Sequence, residues 1–203
     1  MKDQGKFIVF EGHEGSGKTT QIEILKSYLN GRGIDAVYTK EPGYVPEIRT
    51  LLLNKDVRLE PETELLLFAA DRSEHIRKFV QPNIDAGKVV ICDRYTASTF
   101  AYQVHGRGLN GPDCASINEF AGGGLEPDLW VWLQIKPDEG LARVAEKRQL
   151  DRIEENSHEF FQRVNSGYNT FMAPRSNVCE IDATLPEMEI MAKIVYALEK
   201  ILV

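Results

Sequence analysis

Eight residues near the start of the chain have the types and spacing of a phosphate-binding loop. They are Gly12-His13-Glu14-Gly15-Ser16-Gly17-Lys18-Thr19, which fit the pattern G-x-x-x-x-G-K-[ST] at every fixed position. Glycines let the backbone curl so that its N–H groups point at phosphate oxygens. Lys18 can then reach the β- and γ-phosphates of a nucleoside triphosphate, and the Thr19 hydroxyl can ligate Mg²⁺. The alternative is a glycine-rich turn that matches the pattern by chance.

The residues on either side of this loop favour the phosphate-binding interpretation. Phe7 to Phe10 form a short apolar run typical of a strand, and Lys18 to Asn30 have helical periodicity. A helix that begins at the loop presents its positive N-terminal end to the bound phosphate. We therefore predict that the loop, together with Thr20 in the first helical turn, binds a nucleoside triphosphate.

A second candidate site begins at Asp93, the last residue of the predicted strand Val89–Asp93. Ligands of open α/β sheets bind at the carboxyl ends of the strands, and an acidic residue there can help to hold the Mg²⁺ that Thr19 also approaches. An aspartate in this place could equally cap the following helix. Both roles stay open at this point.

Polar side chains follow Asp93 at helical spacing. Arg94, Ser98 and Tyr102 are four residues apart, and Gln103 follows. In a helix this spacing puts the first three on one face. A guanidinium, a hydroxyl, a phenol and an amide together suit a phosphorylated ligand that forms hydrogen bonds, whereas a solvated helix surface is the simpler alternative.

Phe68 and Arg72 are also four residues apart, in the predicted long helix from Pro61 to Val80. An aromatic ring beside a planar guanidinium could stack on a flat base and hydrogen-bond its edge. The spacing alone is weak, since Phe68 would more often lie in a core and Arg72 on a surface.

Strands and helices alternate along the whole chain, which predicts an α/β fold with an open, mainly parallel sheet flanked by helices. The 203 residues suit one domain, and we treat 1–203 as that domain. Beyond those already given, the predicted strands are Ile34–Thr39, Leu129–Ile135 and Val178–Ile181; the predicted helices are 46–53, 95–104, 112–121, 137–147, 154–170 and 186–201.

Composition narrows the classes of partner. The net charge of −7 argues against nucleic acid as the main ligand, while a few local arginines can still bind a small anion. No apolar run approaches the roughly 18 residues that a membrane span needs. The polar start of the chain does not have the features of a signal peptide. We expect a cytoplasmic protein that acts on small molecules and does not bind membranes.

Taken together, these segments resemble the thymidylate kinases over nearly the whole chain. The segments that carry the resemblance are Phe10-Glu11-Gly12, the loop with Glu14, Thr39-Lys40-Glu41-Pro42-Gly43, Leu67 to Arg72, Asp93-Arg94-Tyr95, Ala101-Tyr102-Gln103, Leu125 to Leu129, and Leu150 to Glu154. The resemblance implies a P-loop nucleoside-monophosphate-kinase fold and transfer of the ATP γ-phosphoryl group to dTMP. It also implies Mg²⁺ as cofactor and a homodimer.

The resemblance assigns a role to each acceptor-site residue. It implies that Phe68 stacks on thymine, that Arg72 contacts the carbonyl edge of the base, and that Gln103 lies near the base. Tyr102 matches a residue that disfavours a 2′-hydroxyl, and Ser98 belongs to the same motif. Glu14 resembles the carboxylate that receives the 3′-hydroxyl. Arg49 and Arg94 match the arginines that hold the dTMP phosphate.

The catalytic arginine differs between the two groups of this family. One group carries it in the phosphate loop, where this chain has Gly15, and the other carries it in a mobile lid. We therefore expect the lid, approximately residues 143–154, to supply it. Arg148 is the first candidate and Arg152 the second, whereas Lys147 stands where the lid pattern often has arginine.

Two local departures and three competing functions remain. Tyr44-Val45-Pro46 makes the link to Arg49 shorter than the family usually has, and Gln134 replaces a common aspartate. A kinase for another nucleoside monophosphate would share the fold. A regulatory GTPase is disfavoured because the chain lacks an N-K-x-D motif, and a nucleic-acid-dependent motor is disfavoured by size and acidity.

Overall fold

A parallel five-stranded sheet lies at the centre of the protein. The computed structural model describes residues 5–202, and in that range the strand order is β2-β3-β1-β4-β5, with every neighbouring pair parallel. The strands are β1 Lys6–Glu11, β2 Ala36–Lys40, β3 Val89–Asp93, β4 Leu129–Gln134 and β5 Val178–Asp182. This arrangement confirms the predicted α/β class.

The described helices connect these strands and cover both faces of the sheet. They are α1 Lys18–Gly31, α2 Pro46–Leu53, α3 Pro61–His75, α4 Gln81–Asp85, α5 Thr96–Thr99, α6 Gly111–Gly122, α7 Pro137–Ala145, α8 His158–Met172 and α9 Glu187–Glu199. Two π-helical segments, Ile76–Val80 and Phe100–Gly106, continue α3 and α5.

The central strand β1 divides the hydrophobic core into two halves. Phe7 and Val9 point into one half, beside Trp130, whereas Ile8 and Phe10 point into the other, beside Leu25 of α1. All are buried, which is the pattern expected of a parallel strand covered on both faces. This burial holds the end of β1, and therefore the loop after it, in a fixed position.

Most predicted element bounds agree with the structure, and the differences have local causes. Strand β3 and helix α2 have the predicted bounds. Helix α8 begins at His158 and not at 154, because Asp151 accepts backbone hydrogen bonds from Ile153 and Glu154 in a turn, and the Ser157 side chain caps the helix instead. The π-helical segments were not predicted, since both have ordinary helical side-chain spacing.

The strand order places the loop at a topological switch point. From β1 the chain runs to β2 and β3 on one side, then crosses to β4 and β5 on the other. Phe10 pairs with Asp93 across β1 and β3, so the loop and Asp93 leave neighbouring strand ends. Ligands of open α/β sheets bind at this kind of position. Within residues 5–202, no helix is long and apolar enough to cross a membrane.

Candidate active site

The phosphate-binding loop connects β1 to α1. Gly12 and Gly17 have φ values of 139° and 88°, which residues with a Cβ atom rarely adopt. The buried Lys18 ammonium donates hydrogen bonds of 2.9 Å to the carbonyl oxygens of Gly12 and His13. Burial lowers the pKa of Lys18 to about 8, and the nearby Arg94 charge acts in the same direction. The loop therefore holds a cation whose charge is only partly offset by the nearby carboxylates of Asp93, Glu14 and Glu11, so a bound phosphate would stabilise it further.

Gly15 lies where no larger residue fits without rearrangement. Its φ is 71°, and a Cβ there would stand 2.1 Å from the carbonyl oxygen of Gly140 in α7. Gly140 is equally close to the loop, because its own Cβ would meet the Glu14 carbonyl oxygen at 2.2 Å. The packing of two glycines gives a physical reason why this loop does not carry an arginine at position 15.

His13 fixes the loop to helix α8. Its ring is buried against Tyr168 and Phe161, and its Nε2 lies 3.2 Å from Asn165 Oδ1. Burial lowers the pKa of His13 to about 4, so the ring is neutral at physiological pH. Its side chain therefore packs behind the loop, whereas its carbonyl oxygen faces Lys18.

Arg94 is the centre of the polar cluster next to the loop. It has a φ of 75°, and among the described residues it is the only one besides glycine with a positive φ. Its guanidinium donates to Glu14 at 2.7 Å, to the Tyr168 hydroxyl at 2.9 Å and to the Ser98 hydroxyl at 3.1 Å. Backbone strain of this kind clusters at functional sites. The strained turn directs the guanidinium towards the loop.

Glu14 joins the loop to this cluster. It pairs with Arg94, and its second oxygen accepts a 2.6 Å hydrogen bond from Tyr102. Burial by itself would raise the pKa of Glu14, but the charges of Arg94 and Lys18 outweigh burial and bring the pKa to about 2. Glu14 is therefore ionised throughout the physiological pH range, and its carboxylate can accept a hydrogen bond from a hydroxyl group.

Glu11 holds this cluster in place through hydrogen bonds, although it was not predicted to be a site residue. It is fully buried, and its carboxylate accepts hydrogen bonds from the backbone N–H groups of Tyr95 and Ser98. The hydroxyls of Ser98 and Tyr168 donate to it as well. Burial raises the pKa of Glu11 despite these donors. An acidic residue ending an apolar strand was the available signal.

The far end of the cleft contains Phe68 and Arg72. Phe68 is partly buried, and Arg72 is almost fully buried. The Arg72 guanidinium donates to Glu41 at 2.8 Å and to Thr99 at 3.0 Å, and it lies 5.0 Å from the centre of the Tyr95 ring. Glu41 also contacts the buried His75. Glu41, Thr99 and His75 were missed because their partners are distant in sequence.

Arg49 lies in helix α2. Its guanidinium donates to the carbonyl oxygen of Pro42. The short link that precedes α2 is held by Asp71, whose carboxylate accepts hydrogen bonds from the backbone N–H groups of Gly43 and Val45. Despite the shorter link, Arg49 lines the cleft.

The segment after α7 carries both lid candidates, and they have different surroundings. Arg148 forms a two-fold ion pair with the buried Glu154, at 2.6 and 2.7 Å, and lines the cleft with about half of its side chain exposed. Arg152 donates to the carbonyl oxygen of Leu52 at 2.8 Å and to Glu64 at 2.7 Å, and it is not among the residues that line the cleft.

Asp93 and Thr19 are the residues of the cleft whose oxygen atoms could hold a magnesium ion together with phosphate oxygens. Both line the cleft, and Asp93 Oδ1 is buried without a hydrogen-bond partner among the described residues. An unpaired buried carboxylate oxygen calls for a cation or ordered water. No group of three or more His, Cys, Asp or Glu side chains able to hold a metal occurs in residues 5–202. Such a group is not needed where water and phosphate oxygens supply most of the magnesium ligands. Asp93 does not cap α5, whose N-cap residue is Tyr95.

These groups share one cleft of about 380 Å³. The predicted site residues that line it are Glu14, Gly15, Gly17, Lys18, Thr19, Arg49, Phe68, Arg72, Asp93, Arg94, Ser98, Tyr102, Gln103 and Arg148. Gly12, His13, Ser16, Thr20 and Arg152 do not line it. The cleft has cationic groups at the loop end and an aromatic ring with an amide and a guanidinium at the other.

A parallel sheet with a phosphate loop after its central strand, and an arginine-rich pocket beside that loop, defines a P-loop nucleoside-monophosphate kinase. Residues 10–194 match the family described as thymidylate kinase. The chain is 41% identical to a thymidylate kinase of Trichodesmium erythraeum (strain IMS101), with 94% of this chain and 93% of the relative covered. It is 45% identical to that of Nostoc punctiforme (strain ATCC 29133 / PCC 73102), with 89% of each covered. The chain belongs to the thymidylate kinase family.

Proposed function

We propose that this protein transfers the γ-phosphoryl group of ATP to dTMP, producing dTDP and ADP. The observation that carries the proposal is the placement of Glu14, Arg94 and Tyr102 beside the phosphate loop of a chain that matches the thymidylate kinase family over residues 10–194. A donor site and an acceptor site then face each other within one cleft.

The loop binds the donor. Its inward-facing N–H groups and the N-terminus of α1 neutralise the β- and γ-phosphates, and Lys18 turns from the Gly12 and His13 carbonyl oxygens to the phosphate oxygens. Phosphoryl transfer has little covalent chemistry for the protein to perform, so positioning and charge supply most of the rate enhancement.

The cluster around Arg94 binds the acceptor together with the far end of the cleft, which contains Phe68 and Arg72. Arg49 and Arg94 hold the dTMP phosphate for in-line attack, because guanidinium groups bind phosphate through two hydrogen bonds. Phe68 stacks on thymine and Arg72 contacts its carbonyl edge. The sugar lies near Glu14, Ser98 and Tyr102, where Glu14 accepts the 3′-hydroxyl and Tyr102 excludes a 2′-hydroxyl; Gln103 lies near the base.

Mg²⁺ is the cofactor that Thr19 and Asp93 would hold, directly or through water. When bound with ATP, it supplies positive charge to the phosphate oxygens. The Thr19 hydroxyl and the unpaired Asp93 oxygen are the two protein groups suited to it.

Residues 143–154 form the lid and supply the catalytic arginine. We propose Arg148 for this role, because it lines the cleft with 53% of its side chain exposed, whereas Arg152 is 13% exposed and does not line the cleft. Arg148 leaves Glu154 to approach the transferring group as the lid closes and excludes water.

Replacing Lys18 tests the donor site. Lys18→Ala is expected to reduce dTDP formation by about 10³-fold or more, because it removes a charge that contacts the transferring phosphate. Lys26→Ala is the matched control, since Lys26 lies on the same helix with an exposed side chain. Near-normal phosphoryl transfer by folded Lys18→Ala protein would contradict the proposed function.

A homodimer remains a proposal from the family. Leu66 of α3 and Phe120 of α6 are 57% and 79% exposed, and these two helices pack against each other, so large apolar side chains are available for a partner. A solution mass equal to one chain would contradict it. Cytoplasmic location and the absence of nucleic-acid binding stay predictions.

A further inference from the structure

Glu64 is a buried carboxylate on which three separate segments meet. It lies in the first turn of α3 and is 1% exposed. Its oxygens accept one hydrogen bond from Gln103 at 2.9 Å, two from Arg107 at 3.1 Å, and one from Arg152 at 2.7 Å. These donors come from the π-helical segment of the acceptor site, the turn that follows it, and the lid.

The carboxylate is ionised in this environment. Burial would raise the pKa of Glu64, but the hydrogen bonds and charge of Arg107, with those of Gln103 and Arg152, lower it. An ionised carboxylate only accepts hydrogen bonds. Each of the three partners must therefore present a donor to Glu64.

This requirement fixes the amide of Gln103. Its NH₂ group must face Glu64, which leaves its carbonyl oxygen as the atom that Gln103 offers to a ligand in the cleft it lines. A carbonyl oxygen pairs with a base edge that carries a ring N–H, as thymine does. It is repelled by the ring-nitrogen acceptor of cytosine.

The same carboxylate fixes the lid. Arg152 donates to Glu64 and to the Leu52 carbonyl oxygen of α2, with 13% of its side chain exposed. Arg107 adds a 2.6 Å hydrogen bond to Asn156, just beyond the lid. Breaking these contacts would free the segment that carries Arg148.

We infer that Glu64 is a positioning residue that couples base recognition to the lid: it sets the donor–acceptor direction of the Gln103 amide and anchors Arg152. The inference rests on the proposed function for its substrate and extends it to a residue outside the cleft. Glu64 does not line the cleft; it acts through Gln103 and Arg152.

The test compares Glu64→Gln with Glu62→Gln, an exposed acidic residue in the same helical turn. A neutral amide at position 64 lets Gln103 turn in either direction. The preference for dTMP over dCMP in kcat/KM is expected to fall roughly tenfold in Glu64→Gln. The KM for ATP should stay within about twofold, because no loop residue contacts Glu64. Glu62→Gln should match the wild type in both.

Hydrogen exchange measured without substrate independently tests the claim that Glu64 anchors the lid. Backbone amides of residues 148–156 should exchange faster in Glu64→Gln than in the wild type and in Glu62→Gln. An unchanged dTMP preference or an unchanged exchange rate in folded Glu64→Gln protein would overturn the inference. Failure of the wild type to phosphorylate dTMP would instead refute the proposed function and leave the exchange result interpretable.

Arg152→Gln serves if Glu64→Gln does not fold. It removes the lid contact and leaves Glu64 with Gln103 and Arg107. Exchange in residues 148–156 is expected to rise while the preference for dTMP over dCMP stays within about twofold. Exchange as slow as in the wild type would overturn the claim that the Arg152–Glu64 contact anchors the lid.

Discussion

At the scale of single residues, Lys18 is a buried cation next to a second cation, Arg94. Burial and this neighbour bring its pKa down to about 8. The charged form binds phosphate, so a rise in pH through 8 removes the charge from the free enzyme. ATP binding supplies the anion that restores it.

We therefore predict that kcat/KM for ATP falls as pH rises above about 8, since this quantity follows the free enzyme. The decline in kcat should occur at higher pH, because bound phosphates stabilise the charged lysine. Initial rates between pH 6 and 10 measure both profiles. A kcat/KM for ATP that stays flat to pH 10 would show that Lys18 keeps its charge without the nucleotide. Glu14, with a pKa of about 2, stays ionised throughout this window.

A second prediction at the scale of single residues concerns the catalytic role of Arg148. Arg148→Gln should lower kcat by about 10³-fold with little change in the KM for dTMP, because the guanidinium acts on the transferring group. The neighbouring exposed Lys147 provides the comparison, and Lys147→Gln should keep kcat within about twofold. The reverse ranking of the two variants would assign the catalytic charge to Lys147.

At the scale of elements, the loop and α7 pack against each other at two glycines, Gly15 and Gly140. A Cβ at Gly15 would need to pass through the Gly140 carbonyl group, whereas a Cβ at Gly33, also at positive φ, would meet nothing within 4 Å. The two positions therefore separate the cost of the backbone conformation from the cost of the contact.

Gly33→Ala should destabilise the protein by about 1–2 kcal/mol, the ordinary cost of a left-handed residue. Gly15→Ala should cost more, because the loop must also move away from α7. Denaturant unfolding of the two variants compares these costs. Equal destabilisation would mean that the loop yields freely and that the Gly15–Gly140 packing is not a constraint.

Sequence patterns predicted the elements well where one physical signal dominated. The apolar run from Val89 to Asp93 gave the bounds of β3, and Pro46 gave the start of α2. The π-helical segment Phe100–Gly106 could not be predicted, since its side-chain spacing is that of an ordinary helix. A Cβ at Gly106 would lie 2.7 Å from the Phe160 ring of α8, so the π-helical segment packs closely against a helix that is distant in sequence.

At the scale of the whole molecule, the cleft depends on contacts between distant segments. Local motifs identified Arg94 and Glu14, because loop and strand-end positions are recognisable. They could not identify Tyr168, which contacts Arg94 from 74 positions away, or Glu11, whose partners lie in the turn after β3, in α5 and in α8. Residues that bind ligands are visible in short patterns, whereas the residues that hold them in place become visible only after folding.

The central claim is that the acceptor end of this cleft selects dTMP. The direct measurement is kcat/KM with ATP for a panel of monophosphates: dTMP, dUMP, dCMP and dGMP. We predict that dTMP is preferred over dCMP and dGMP by about 10²-fold or more, because a base of the wrong hydrogen-bonding pattern leaves the base-facing atoms of Arg72 and Gln103 without a partner. The product should be dTDP, with one ADP formed for each. A preference for dCMP or dGMP would contradict the account.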